Sequence, residues 1–209
     1  EKFNGDYGAT IGMLIGGSNC VTLVKSGDHV VAQPGEYVAF QIAYSNSGTL
    51  PLGDPDLGIP LVIHDSVPTG SFYVAGSATA SNTLPAGVSS YVVLFSTNNG
   101  VTWTQTEPPA GSVTDIEWWL TGELASQAAG AARFAVTVTN PFTNDLPQVV
   151  NTAEGGFGSG NPFGNSTYTV RILGTNAVGD TVFLDNGAGG GVRGNGTQDG
   201  AETGIADVT

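Results

Sequence analysis

The sequence predicts an all-β chain folded as an antiparallel β-sandwich, and three observations carry that reading. Its 209 residues include 32 glycines and 11 prolines among abundant Thr, Ser, Asn and Val, a mix that favours strands and tight turns over helices. Apolar residues alternate with polar ones at period two in several short runs. Turn signals recur about every 8–12 residues between seven to nine such runs, the spacing of a sandwich.

Taken in order, residues 1–19 hold an apolar patch, ATIGMLIGG, too short to span a bilayer. It reads as an N-terminal strand extension that could be donated to a neighbouring subunit. VTLVKSG, from Val21, is a short strand ending in a turn. GEYVAFQIAYSNSG places Tyr37, Ala39, Gln41 and Ala43 on one face and Val38, Phe40, Ile42 and Tyr44 on the other. IPLVIHDSVPTG is a strand followed by a Pro-Gly turn, and YVVLFSTNNGVTWTQ carries an Asn-Gly hairpin signal. VTDIEWWLTGEL, ARFAVTVTNPF, VVNTAEGGFG and STYTVRILG supply further strands. The alanine-rich GELASQAAGAARFAV has helical propensity, but Gly130 interrupts it and a β-branched run follows, so it reads as a turn between strands. The expected core face comprises Phe40, Ile42, Tyr44, Val62, Phe134, Val136 and Val138.

Charge excludes some functions. Five Lys and Arg stand against 18 Asp and Glu, for a net charge of −13. A nucleic-acid binder needs a basic footprint, and docking on anionic lipid needs cations as well; neither is present, and no apolar run of membrane-spanning length occurs. Cys20 is the only cysteine, so no internal disulfide can form, and it reads as a small buried apolar residue.

The order of several motifs resembles the conserved-repeat domain of bacterial and archaeal surface proteins. Those motifs are Pro34-Gly35 before a long strand, Asn46-Ser47-Gly48 after it, the turn Asp65-Ser66-Val67-Pro68, the turn from Leu124 to Gly130, and the closing Asn151-Thr152-Ala153. The resemblance covers about residues 20–175. It implies an immunoglobulin-like sandwich, an extracellular or cell-surface location, a stalk or adhesive role and no catalysis. The segment 176–209 is similar to the start of a calcium-binding B-type repeat of serine-aspartate-repeat adhesins. It shares Gly179-Asp180-Thr181-Val182-Phe183-Leu184-Asp185, then Asn195-Gly196-Thr197-Gln198-Asp199, Glu202, and Gly204-Ile205-Ala206-Asp207-Val208. The expected organisation is thus an extension over 1–19, the sandwich over 20–175 and a partial B-type repeat over 176–209.

The terminal loop favours calcium over phosphate. Gly189, Gly191 and Gly194 match G-x-G-x-x-G, but no helix pattern follows to receive a pyrophosphate. Calcium takes hard oxygen ligands, a bidentate carboxylate and a glycine at a sharp turn. With Glu202 at the last position of an EF-type loop, Asn195, Gly196, Thr197 and Asp199 fall at ligand or turn positions, whereas Gly191 and Arg193 stand where two acidic ligands belong. Asp185 supplies the missing acid if the intervening glycines loop out, assisted by Asn186. The expected metal ligands are Asp185, Asn186, Asn195, Thr197, Asp199 and Glu202, against the plain alternative of a polar glycine-rich linker.

Other candidates read more simply. His29 and His64 lack metal-ligand spacing, and no G-x-S-x-G nucleophile turn is present, so no enzymatic site is expected. Asp54 and Asp56 suit a solvated turn. Trp118 and Trp119 are neighbours on a strand, so one faces the core and the other the opposite side; with Trp103, an exposed one could stack on a sugar. Asn165 and Asn195 head glycosylation sequons. Lys25 could form an isopeptide bond with an asparagine, but the sequence names no partner. The expected function is a non-enzymatic extracellular structural protein: a subunit or repeat of a surface fibre, stalk or sheath. It would self-associate into a filament or tandem modules by strand addition, which satisfies bare sheet edges, and calcium would stiffen it. The alternative is an adhesin or carbohydrate-binding module with a glycan as its partner.

Overall fold

A computed structural model describes residues 21–53, 59–144, 146–158, 162–173, 183–184, 186–193, 198 and 200–204. The chain divides into two compact units, Glu1–Gly174 and Thr175–Thr209. The first contains eleven strands among its described residues: β1 (Val21–Gly27), β2 (Val31–Ala32), β3 (Tyr37–Asn46), β4 (Leu61–Ser66), β5 (Ser71–Tyr73), β6 (Thr79–Ala80), β7 (Val88–Ser96), β8 (Asp115–Gly122), β9 (Ala129–Val138), β10 (Gln148–Phe157) and β11 (Pro162–Ile172).

These strands form two sheets. One runs β1-β3-β9-β5, with β6 also pairing β9; the other runs β2-β11-β10-β4-β8-β7. Every pair is antiparallel except the two-residue contact of β2 with β11. This is an all-β sandwich of the immunoglobulin-like class. Period two decides which face of each strand enters the core. On β3, Val38, Phe40, Ile42 and Tyr44 are buried and alternate with more exposed residues. They meet Phe134, Val136 and Val138 of β9, with Phe40 directly opposite Phe134 and Val38 opposite Val136. Facing them from the second sheet are Leu61, Ile63, Ile116, Trp118, Leu120, Val149 and Val170, all almost fully buried.

Val62 departs from the expected core set. It is buried, but the inward parity of β4 belongs to Leu61, Ile63 and Asp65, so Val62 lies on the outer face beside His64 and is covered by other segments there. The neighbouring tryptophans divide as alternation requires: Trp118 is buried in the core and Trp119 is half-buried on the opposite face. The alanine-rich stretch is indeed a turn leading into β9, with Gln127 at a φ of 60°. Cys20, Asp54 and Asp56 lie outside the described residues.

Two of the sequence motifs are structural staples. Asn46 is buried, and its amide donates to the carbonyls of Leu50, Leu124 and Ala125 while its Oδ1 accepts the Gly48 N–H. The Asn-x-Gly turn is thereby tied to the turn before β9. The Asn-Gly signal after β7 makes a tight reversal with φ of 55° at Asn99 and 76° at Gly100, the left-handed pair that a two-residue hairpin turn demands. The chain then folds back so that Thr104 exchanges both backbone hydrogen bonds with Phe95, which places Trp103 over the outer face of the second sheet next to His64.

In the second unit, Phe183 pairs with Gly204 as an antiparallel bridge, and Leu184 donates to Thr203. A 3-10 turn at Ala188–Gly190 follows.

Candidate functional site: a buried lysine, aspartate and asparagine

Three strands carry a polar side chain at core parity. On β1, Lys25 follows Val21 and Leu23; on β4, Asp65 follows Leu61 and Ile63; on β10, Asn151 lies between Val149 and Ala153. All three are buried: Lys25 is 5% exposed, Asp65 0% and Asn151 1%. Topology gathers them. Strands β10 and β4 are neighbours with Ala153 opposite Asp65, so Asn151 is the diagonal neighbour of Asp65 on the same face, within side-chain reach. Strand β1 ends the other sheet and packs against β11, where the Lys25 N–H donates to the Ser166 hydroxyl at 2.9 Å. The lysine side chain therefore crosses the core from one sheet to the other.

Lys25 Nζ is in direct contact with Asp65 Oδ2. Its ammonium position lies 5.3 Å from the ring centres of both Phe40 and Phe134. Phe134 in turn packs against Trp118. Asn151 sits beside Asp65 closely enough to favour the carboxylate, yet neither its Oδ1 nor its Nδ2 has a partner in hydrogen-bond geometry, and Asp65 Oδ1 lacks one too. Buried amides are rarely left so. An Asn with both ends unsatisfied is costly, and the fold tolerates it beside the acid that Lys25 contacts.

Burial works against charge on both members of the pair. Desolvation lowers the Lys25 pKa despite the attraction of Asp65. Desolvation also raises that of Asp65 to about 7, with Lys25, His64 and Asn151 opposing. A charged pair in an aromatic box is expensive to desolvate, so both shifts favour the uncharged couple of amine and carboxylic acid. A neutral amine is a nucleophile; a carboxylic acid is a proton donor; a primary amide beside them is an acylating group. The arrangement has the parts for an amide exchange.

The outer face of the second sheet holds a different cluster. His64 of β4 is flanked in register by Glu117 of β8 and Glu154 of β10. His64 Nε2 is 3.3 Å from Asp115 Oδ1, which also accepts the Ser66 hydroxyl at 2.7 Å. The Trp103 ring meets His64 edge-on at 6.0 Å, and Trp119 Nε1 donates to Glu117 Oε2 at 2.6 Å. Burial alone would lower the His64 pKa, but Asp115, Glu117 and Asp65 together raise it. Glu117 is raised chiefly by burial.

His29 lies apart at the start of β2, bonded to Asp28. Of the expected calcium ligands, Asp185, Asn195, Thr197 and Asp199 lie outside the described residues. The other two brace the turn they belong to: Glu202, 6% exposed, accepts the Gly187 N–H at 2.7 Å, and Asn186 Oδ1 accepts the Ala188 N–H at 3.0 Å. Among the described residues no three His, Cys, Asp or Glu side chains gather as a metal site, and no helix is long and apolar enough to cross a membrane.

No protein-family model matches the sequence, and no curated protein matches it. Solved structures with a similar fold include a collagen-binding domain from a Staphylococcus aureus adhesin, 9% identical, covering 71% of this chain and 96% of that one, with a TM-score of 0.40. The pilus backbone RrgB of Streptococcus pneumoniae is 15% identical, covering 68% of this chain and 33% of that one, with a TM-score of 0.44. The major pilin subunit BcpA of Bacillus cereus is 12% identical, covering 74% and 40%, with a TM-score of 0.45. The chain thus spans well under half the length of these two pilins.

Proposed function

We propose that this chain is a non-enzymatic structural module of an extracellular fibre, stalk or sheath, and that its sandwich is closed covalently by an amide between Lys25 and Asn151. The buried cluster of Lys25, Asp65 and Asn151 carries the reading. The neutral Lys25 amine attacks Asn151 Cγ, and the Asp65 carboxylic acid donates a proton to the amide oxygen as the tetrahedral centre forms. A proton then passes from the former lysine nitrogen through Asp65 to Nδ2. The Cγ–Nδ2 bond breaks, ammonia leaves, and the oxygen returns its proton to Asp65 as the carbonyl re-forms. One bond forms, one breaks, and Asp65 ends as it began; each chain reacts once, without turnover.

Such a link suits a load-bearing module. It joins β1 of one sheet to β10 of the other and closes a loop of more than about 100 residues, a constraint worth about 5 kcal/mol by the chain-entropy argument. It does so without cysteine pairs, which this chain lacks. Intact mass spectrometry of the unfolded protein tests it. The mass should fall short of the sequence mass by one ammonia, digestion should yield a branched peptide joining Lys25 to Asn151, and Lys25→Met and Asp65→Ala should restore the full mass. A wild-type chain of full sequence mass would overturn the cross-link.

The finer parts of the proposal are strand addition between subunits and stiffening by calcium at the loop around Glu202. The oxygen donors there are of the type calcium takes, and Glu202 already organises the turn at Gly187.

A further inference from the structure

We propose that the groove on the outer face of the second sheet is a binding site for a cationic side chain, an arginine or lysine presented by an extended peptide segment of a different protein. The groove encloses about 810 Å³. The row of His64, Glu117 and Glu154 lies across it, Asp115 and Ser66 stand beside that row, and Trp103 from the hairpin after β7 is part of its wall. Gly155, Gly156 and Gly158 of β10 and its exit supply no side chains to fill it.

Its charge is one-sided. Among the described residues three carboxylates line it and no Lys or Arg does. Two of the three are nearly buried: Asp115 is 5% exposed and Glu117 6%. Buried carboxylates are ordinarily paired with a cation. Here their partners are neutral donors and one histidine: Asp115 Oδ1 takes Ser66 and His64, and Glu117 takes the Trp119 indole. Asp115 Oδ2 is buried in the same wall with no hydrogen-bond partner. A guanidinium or ammonium entering the groove would pair with Glu117 and Glu154, place positive charge beside the Asp115 carboxylate, and find an aromatic ring in Trp103. A neutral sugar would leave the uncompensated charge in place. The volume exceeds one side chain, which leaves room for the flanking backbone. The chain itself has five Lys and Arg against 18 acids, and Lys25 is committed to the core, so the complementary surface belongs on another protein.

The test is a pair of capped tripeptides, Gly-Arg-Gly and its neutral isostere Gly-citrulline-Gly, titrated against the full chain while the Trp103 indole and His64 ring resonances are followed by NMR. The arginine peptide should bind with an affinity that falls as salt rises, shift both resonances, and exceed the citrulline peptide by about tenfold or more. Glu117→Gln should lower that affinity by about tenfold. Glu154→Gln, at an exposed position that does not threaten folding, should lower it by a smaller factor. Glu36→Gln, a half-buried acid that does not line the groove, should leave it unchanged. Equal binding of the two peptides, no binding at about millimolar concentration, or an equal loss in Glu36→Gln would overturn the proposal. So would a neutral oligosaccharide shifting the same resonances in place of the cation, or self-association that Glu117→Gln abolishes. The cross-link is read by mass alone, so the fate of either proposal leaves the other standing.

Discussion

At the scale of single residues, the core is organised around groups that would ordinarily be excluded from it. Asp65 has no exposed surface, and burial raises its carboxyl from 3.8 to about 7. This sets a pH dependence with a definite sign. Between those values the folded chain holds a proton that the unfolded chain has released, so stability is lost as pH rises through that window. The variant Lys25→Met isolates the effect, because it removes both the cross-link and the ammonium that holds the Asp65 pKa down. Its melting temperature should fall from about pH 4 to neutrality more steeply than that of Lys25→Met/Asp65→Asn, measured by calorimetry. Parallel profiles for the two variants would mean that Asp65 keeps its ordinary acidity. Asn151 was legible as part of a closing Asn-Thr-Ala motif, and Asp65 as part of an Asp-x-x-Pro turn, but their meeting with Lys25 was not. The signal was present as parity: VTLVK, LVIHD and VVNTA each place a polar residue where an inward-facing apolar one is due. A single strand with that fault reads as an error of register. Only the pairing of β4 with β10, and the packing of β1 across them, shows that the three faults meet at one point.

At the scale of elements, the alternation on β3 and that of the large side chains of β9 predicted the core, because a one-residue slip would turn every large side chain away from it. Phe134 is 1% exposed and touches Phe40, Trp118 and the Lys25 ammonium position. Phe134→Ala should cost about 3–5 kcal/mol by chemical denaturation and slow the appearance of the ammonia-deficient mass, since the ring is one wall of the box whose desolvation favours the neutral amine. A loss near zero would contradict the register of β9. Strand β4 was harder to read: LVI is apolar on both faces, and a continuous run carries no period. Val62 therefore seemed a core residue when it belongs to the outer face, which is covered by the hairpin after β7 and the turn after β4. The Asn-Gly turn announced a hairpin, but not that it would fold Trp103 over His64, since that placement depends on the single exchange of bonds between Phe95 and Thr104. In the second unit, Glu202 already holds the Gly187 turn, so a calcium ion bound there would meet a carboxylate that is already positioned. Calorimetric titration should show calcium uptake by the full chain and its weakening in Glu202→Gln, where one bidentate ligand is lost; no uptake by the unaltered chain would leave the segment a linker.

At the scale of the whole molecule, the proposed role as a fibre module turns on how sheet edges are managed. Each edge presents unpaired backbone donors and acceptors that template a further strand unless covered. The edge at β1 is occupied, because the Lys25 N–H reaches Ser166 of β11 and the two sheets come together there. The edge at β5 and β6 is broken into pieces of three and two residues, too short to guide a partner. Strand β7, nine residues long, is different. It pairs with β8 on one side, and on the other, among the described residues, only Phe95 is bonded, to Thr104. Backbone groups alternate in direction along a strand, so Tyr91 and Val93 share the outward direction of Phe95, and Tyr91 is 37% exposed. Under the proposed strand addition this edge would take the added strand, and the apolar ATIGMLI of residues 9–15 is a segment with the composition to supply it. Tyr91→Pro removes one outward N–H and leaves the ladder to β8 intact. It should abolish or slow assembly seen by electron microscopy and sedimentation, as should removal of residues 1–19, while both variants keep the cross-linked mass and a cooperative melt. Assembly by both variants at the rate of the full chain would show that subunits join by some other surface and that β7 is an edge without a partner.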